Sequence, residues 1–307
     1  MRTIRDVLVD AQHRLSNVGI DSAATESAEL LAFVLGVARG RMFMQDVVEE
    51  DDRISFERLL AKRLNRIPLQ HITGKAAFRR IELEVGPGVF IPRPESELVA
   101  EAAIRFLNHC ENPIAVDLCT GSGAIAISLA IEVPGTQVVG IELSPDAYPW
   151  LERNIQRFNP EPPIEVHQID ATDCEAEVFV RLSGKCDVVT CNPPYIPANM
   201  IPRDPEVRVH EPAMALYGGV DGLDVVRGIA KTAAMLLKPG GLLVVEHADV
   251  QGPEAGEMSV VNVLRAAELD AELATHVPGF PGDLLYTAVS DLQDFNQRPR
   301  FTVATRV

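Results

Sequence analysis

From residue 114 onward the chain alternates short apolar runs with helix-length segments. That rhythm restricts the fold more than any other feature of its 307 residues. Strands are predicted at 114–118, 137–142, 164–169, 186–190 and 242–246, and helices near 123–132, 145–158, 222–237 and 253–268. Strand–helix alternation of this kind predicts a mostly parallel sheet covered on both faces. Two further β-rich runs, 284–289 and 300–305, are separated by a polar loop and predict an antiparallel hairpin closing the sheet edge. No internal repeat or low-complexity tract interrupts the pattern.

The first part of the chain has a different period. Ile4, Val7, Leu8, Ala11, Leu15 and Val18 recur at helical spacing and stop at Gly19. A second helix carries Leu30, Leu31, Val34 and Leu35 and ends at Gly36, and a third runs through Phe56, Leu59, Leu60 and Leu64 towards Pro68. Between Phe78 and Ile91 the period becomes two: Ile81, Leu83 and Val85 alternate with polar residues, Gly86-Pro87-Gly88 makes a turn, and Val89-Phe90-Ile91 is expected to return as a strand. The expected division is a helical domain at 1–74, a β-hairpin linker at 75–95 and an α/β domain at 96–307.

Charge and composition narrow the function classes. Lys and Arg number 28 against 44 Asp and Glu, a net charge of −16, and residues 1–74 are near neutral with ten basic and eleven acidic side chains. The acidity therefore sits in the α/β part, which makes direct nucleic-acid binding unexpected, because gripping a phosphate backbone rests on Lys and Arg. No apolar run is long enough for a membrane span, and Asp6 follows too soon after the start for a signal peptide. Five cysteines without a C-x-x-C pair argue against a disulfide framework and a structural zinc site, and a reducing cytoplasm is the expected compartment. The seven histidines include no H-E-x-x-H, so no metal is expected.

Two segments carry chemistry. Ile114 to Leu118 runs into Cys119-Thr120-Gly121-Ser122-Gly123 and then a helix. Small residues in such a turn let a ligand approach the backbone, and free N–H groups at the helix start bind its polar groups. Gly121-x-Gly123-x-x-Ala126 also satisfies a loose dinucleotide fingerprint, and Glu142, 21 residues after Gly121, stands where an acid would accept from two ribose hydroxyls. Asp117, just before the turn, tilts the reading towards S-adenosylmethionine, whose cationic end benefits from a carboxylate.

The second segment is Asn192-Pro193-Pro194-Tyr195, directly after the strand ending at Cys191. Successive prolines fix the backbone and remove two donors, leaving carbonyl acceptors. The Asn192 side-chain oxygen and a prolyl carbonyl together can accept both hydrogens of a planar amino group, with Tyr195 stacked on its face. That arrangement directs a weak nitrogen lone pair at a methyl donor.

With these motifs in place the chain resembles the HemK/PrmC family, the release factor protein-(glutamine-N5) methyltransferases, over nearly its whole length. The segments that carry the resemblance are Phe90-Ile91-Pro92-Arg93-Pro94-Glu95-Ser96-Glu97, Asp117 to Ala126, Cys191 to Ile196, Glu206-Val207-Arg208-x-x-Glu211-Pro212, Gly218-Gly219-x-Asp221-Gly222-Leu223-Asp224 and Pro239 to His247. The resemblance implies a class I methyltransferase fold of seven strands behind a small helical domain suited to docking a protein. It further implies that Asp117, Cys119, Thr120, Gly121, Ser122 and Gly123 hold S-adenosylmethionine, that Glu142 holds its ribose and that Asp170 and Ala171 lie beside its adenine. Asn192, Pro193, Pro194 and Tyr195 would bind the substrate glutamine, with Asn192 also near the cofactor, and Phe90 and Arg93 would line the substrate side. The family's substrate is the glutamine of a Gly-Gly-Gln tripeptide in class I peptide-chain release factors. The alternative from the same motif is N6-adenine methylation of DNA or RNA, since adenine presents a similar amino group; the acidic α/β part counts against it.

Three positions depart from the family pattern. Cys119 replaces the commoner glycine, so the turn must accept a β-carbon. Ser96 replaces the usual threonine and is expected to cap the following helix. Ala248 follows His247 where glycine is usual, so His247 is given a structural role.

Overall fold

The strand Ile114–Leu118 is buried along nearly its whole length, as is Cys186–Cys191 beside it. Only a sheet covered by helices on both faces buries strands in this way. In the computed structural model, which describes residues 2–268, 273–274 and 284–307, these strands form the middle of a seven-stranded sheet. Numbered within that sheet in chain order, the strands are β1 (Ile114–Leu118), β2 (Gln137–Ile141), β3 (Glu165–His167), β4 (Cys186–Cys191), β5 (Leu237–Glu246), β6 (Tyr286–Gln293) and β7 (Pro299–Arg306). Their spatial order is β6-β7-β5-β4-β1-β2-β3. β1 to β5 pair in parallel, and β7 lies antiparallel between β5 and β6. This is the seven-stranded arrangement that the resemblance implies. The expected tail hairpin exists, with β7 inside the sheet and β6 at its edge.

Two expected elements differ. Val89-Phe90-Ile91 is not a strand; the hairpin forms one step earlier, between Lys75–Phe78 and Ile81–Glu84. Arg79 makes the tight connection in the left-handed region at φ 50, a signal that periodicity does not carry. The helix expected over 253–268 is confined to Val260–Arg265, preceded by 3₁₀ turns at Asp249–Gln251 and Gly256–Met258. Pro253 and Gly256 break the earlier turns, and the Ser259 hydroxyl caps the helix by accepting from the Asn262 amide.

The chain packs as two units that are not continuous in sequence. One contains Met1–Lys75, Val85–Pro87 and Pro202–His210; the other contains Ala76–Glu84, Gly88–Ile201 and Glu211–Val307. The first is helical, with Ile4–Asn17, Ala23–Val34 and Glu50–Leu64 packing around Leu15, Leu30, Leu31, Phe56 and Leu60. Within it Arg63 is buried and pairs with both Glu26 and Glu206, so its charge is matched on two sides. The second unit holds the large sheet, whose core gathers Val116, Leu118, Val189, Ile229, Ala233, Leu243 and Val245.

Candidate active site

In an open parallel sheet, ligands bind beyond the carboxyl ends of the strands, where the strand order reverses. Here the reversal lies between β1 and β4. The residues that follow those two strands are Cys119 to Gly123 and Asn192 to Tyr195, the two segments singled out in the sequence. Register places them side by side, since Leu118 is the direct partner of Cys191.

The turn after β1 is braced from beneath. Asp117 is only 1% exposed. Its Oδ2 accepts from Thr120 Oγ1 at 2.6 Å and from the Ala126 amide at 3.2 Å, and its Oδ1 accepts from Thr190 Oγ1 at 2.7 Å. Burial pushes its carboxyl up to about 6 despite these donors. The Asp117 oxygens are thus engaged within the protein, and its effect on a ligand passes through the shape of the turn. Asn154, 0% exposed, adds a second brace: its Nδ2 donates to Ser122 O at 2.9 Å, while Oδ1 and Nδ2 also bond the Glu84 backbone.

Gly121 adopts φ 59, and a β-carbon there would meet no heavy atom within 4 Å, so the turn presents bare backbone to open space. Glu142, at the end of β2, accepts from the Gly121 amide at 2.8 Å and the Ser144 amide at 2.7 Å. The Leu143 amide adds a third backbone hydrogen bond, which leaves acceptor capacity on the carboxylate for a ligand hydroxyl. An open glycine turn beside a fixed carboxylate fits the ribose and amino-acid parts of S-adenosylmethionine. Asp170 and Ala171 follow β3, where Asp170 Oδ1 accepts from both the amide and the hydroxyl of Thr172 at 2.8 Å.

Cys119 occupies the left-handed region at φ 58, which explains why glycine is commoner at this place. Cys119→Gly is expected to be neutral or more stable by up to about 1 kcal/mol, relief of the backbone being partly offset by the freer unfolded chain. Cys119→Val, β-branched at positive φ, should destabilise by about 1–2 kcal/mol. Urea midpoints of the two variants check this order.

The turn after β4 is held by several groups. Asn192 Nδ2 donates to Ser96 Oγ at 3.1 Å. Tyr195 Oη donates to Glu246 Oε1 at 3.5 Å, and Gln251 Nε2 donates to Tyr195 O at 2.9 Å. The Gly218-Gly219-x-Asp221-Gly222 run packs against the same backbone. A β-carbon would stand 2.3 Å from Pro194 O at Gly218 and 2.3 Å from Tyr195 O at Gly222, so only glycine fits at both. Ser96 is the first residue of its helix, but Glu95 occupies the cap position and the Ser96 hydroxyl turns to Asn192. The expected cap is replaced by a side-chain contact. Arg93 lies 5.0 Å from the Phe90 ring centroid and pairs with the buried Glu211. His247 is buried and bonded to Asp291 at 2.8 Å and to Ala248 O at 2.9 Å, a structural setting.

The sequence motifs give Glu246 no role of its own. It ends β5, is 1% exposed, and its Oε2 has no hydrogen-bond partner. Burial pushes its carboxyl up to about 7. The folded state therefore keeps a proton that the unfolded chain releases near 4.5, so wild-type stability falls as pH rises through this window. Glu246→Gln removes the charge, and above pH 7.5 it should be more stable than wild type by up to about 3 kcal/mol. The gain should vanish below pH 4.5, as thermal unfolding across pH would show.

Comparison with known proteins identifies the family. Residues 6–74 match the PrmC N-terminal domain and residues 69–210 match a family described as conserved hypothetical protein 95. A protein of Streptomyces coelicolor named release factor glutamine methyltransferase is 42% identical over 303 residues, covering 97% of this chain and 96% of that protein. The chain belongs to the release factor glutamine methyltransferase family. A family member of Mycolicibacterium smegmatis is 38% identical, covering 100% of this chain and 99% of its own. A protein of Streptomyces pristinaespiralis, 37% identical over 81% of this chain and 84% of that protein, is named 4-amino-L-phenylalanine/4-methylamino-L-phenylalanine methyltransferase. No described helix is long and apolar enough to cross a membrane. Among the described residues no group of three or more His, Cys, Asp or Glu could hold a metal ion.

Proposed function

We propose that this chain transfers a methyl group from S-adenosylmethionine to the side-chain amide nitrogen of the glutamine in the Gly-Gly-Gln motif of class I peptide-chain release factors, and that it does so in the cytoplasm. The observation that carries the reading is the polarity of Asn192. Its Nδ2 is spent on Ser96, which leaves Oδ1 as an acceptor at the switch point beside the glycine turn.

S-adenosylmethionine, when bound, supplies an activated methyl group on a sulfonium sulfur. Cys119 to Gly123 would hold its amino-acid part against bare backbone, Glu142 its ribose hydroxyls, and Asp170 and Ala171 its adenine. Asn192 Oδ1 and the Pro193 carbonyl accept the two N–H bonds of the glutamine amide, which turns its lone pair out of conjugation and fixes its direction. The same two acceptors stabilise the positive charge that grows on this nitrogen as it is alkylated. With the neutral thioether as the leaving group of the transfer, the alkylated amide nitrogen is acidic enough to pass one of its protons to water without a strong base. Tyr195 and Pro194 wall the amide plane, and Phe90 with Arg93 lines the approach.

The arylamine in the name of one relative and the amino group of adenine make useful competitors. Purified chain would be given methyl-labelled S-adenosylmethionine and equal concentrations of a release factor, an adenine-containing oligonucleotide and 4-amino-L-phenylalanine. Label is expected in the release factor alone; preferential label in either competitor would contradict the reading.

A further inference from the structure

Asn192 is useful only in one of its two amide orientations, and the structure contains a device that selects it. The parallel register of β4 and β5 pairs Cys191 with Val245, so the residues that follow, Asn192 and Glu246, emerge side by side. Ser96, from the start of a different helix, Ser96–Leu107, is a hydrogen-bond partner of both. Its oxygen accepts from Asn192 Nδ2 at 3.1 Å, and its hydroxyl hydrogen favours the ionised Glu246 carboxylate by hydrogen bonding. A hydroxyl that donates to a carboxylate has only its lone pairs left to offer. It therefore accepts from the NH2 end of Asn192 and rejects the oxygen end. Tyr195 donates to Glu246 as well, so one carboxylate orients both ends of the Asn192–Tyr195 turn.

We propose that Glu246 is a positioning residue which, through Ser96, locks the Asn192 amide with its oxygen towards the substrate nitrogen. The inference rests on the methyl-transfer reading for its kinetic consequence, but the lock itself is a property of the free protein. Protonation of Glu246 weakens it as an acceptor and gives it an O–H that competes for the Ser96 lone pairs, so the lock loosens as pH falls. The charged groups that act on Glu246 are Arg300 from β7 and His247 from β5, which favour its ionised form, and Glu95, which opposes it. A buried carboxylate at the end of a strand, with one oxygen unpaired, is costly to the fold. A positioning duty gives that cost a function.

Two measurements test the lock on the full-length chain. In the ¹⁵N spectrum of the free protein, the Asn192 side-chain amide, assigned by its loss in Asn192→Asp, should shift with pH through the Glu246 titration near 7. In Glu246→Gln and Ser96→Ala this titration should be absent. In steady-state methylation of a release factor, Glu246→Gln and Ser96→Ala should lose about 10–100-fold in kcat with KM values within about threefold, the size of effect that a misplaced reactive group gives. Ser96→Thr, which keeps the hydroxyl, should retain wild-type kcat, and the rise of kcat with pH should be flattened in Glu246→Gln. An Asn192 resonance indifferent to pH, or equal losses in Ser96→Thr and Ser96→Ala, would overturn the proposal. A titrating resonance in a wild-type chain that methylates no release factor would leave the lock standing and remove the functional reading instead. Because Glu246→Gln is expected to be more stable than wild type, loss of fold does not account for its loss of turnover.

Discussion

Asn192→Ala is expected to lower kcat by about 10²–10³, equivalent to about 2.7–4 kcal/mol of transition-state stabilisation, while leaving S-adenosylmethionine affinity within a few-fold of wild type. The size follows from what is removed. Oδ1 is one of two acceptors for the reacting amide, and its interaction strengthens as charge develops on nitrogen. The cofactor side depends on different groups: Gly121 and Glu142 are joined to each other and to Ser144, without Asn192. Single-turnover rates on a release factor, paired with calorimetric cofactor binding, separate the two. A variant that turns over within threefold of wild type would remove the acceptor mechanism even if glutamine methylation were real.

The second large effect belongs to Asp117. Asp117→Ala takes the acceptor from Thr120, Thr190 and the Ala126 amide at a place with 1% exposure. Each donor left unsatisfied costs about 1–3 kcal/mol. Removing a buried carboxyl with a raised proton affinity offsets part of this, so the net loss should be about 2–5 kcal/mol, in the upper range for a point substitution. The turn should also loosen, and cofactor affinity should fall with it. Asp117→Asn is the informative partner. Its oxygen can still accept from Thr120 and Ala126, and its NH2 can donate to the Thr190 hydroxyl, so most of the stability should remain. Chemical denaturation and cofactor titration of both variants decide the matter. An alanine variant with wild-type midpoint and affinity would show that Asp117 does not brace the turn.

Much of this architecture was legible in the sequence, for identifiable reasons. Ile114 to Leu118 and Cys186 to Cys191 are short, mainly apolar runs interrupted only by Asp117, Asp187 and Thr190, because both faces of a central parallel strand are covered, and their length and flanking turns favour strand over helix. Glu142 was legible because an acid closing such a run has little to do inside a core. The same signal stands at the end of Leu242-Leu243-Val244-Val245-Glu246, but the strand-end position alone does not show that Glu246 meets Tyr195, a contact made only in the fold. Asn154 gave no signal, since an asparagine in an amphipathic helix reads as a surface residue until its carbonyl partners at Ser122 and Glu84 are known. The Gly218 and Gly222 positions were visible as a motif but not as a support for the Pro194 and Tyr195 carbonyls, a contact that exists only in three dimensions. The early closure of the hairpin at Arg79 was hidden because a left-handed arginine has no compositional mark.

The measurement that bears most directly on the account is the position of the methyl group. Wild-type chain, S-adenosylmethionine and a purified class I release factor would be incubated together, the release factor digested, and the Gly-Gly-Gln peptide fragmented by mass spectrometry. The account predicts a gain of one methyl on that glutamine, localised to its side-chain nitrogen, and none on a substrate in which the glutamine is replaced by alanine. An unmodified Gly-Gly-Gln peptide alongside methyl transfer to another residue or another acceptor would contradict it.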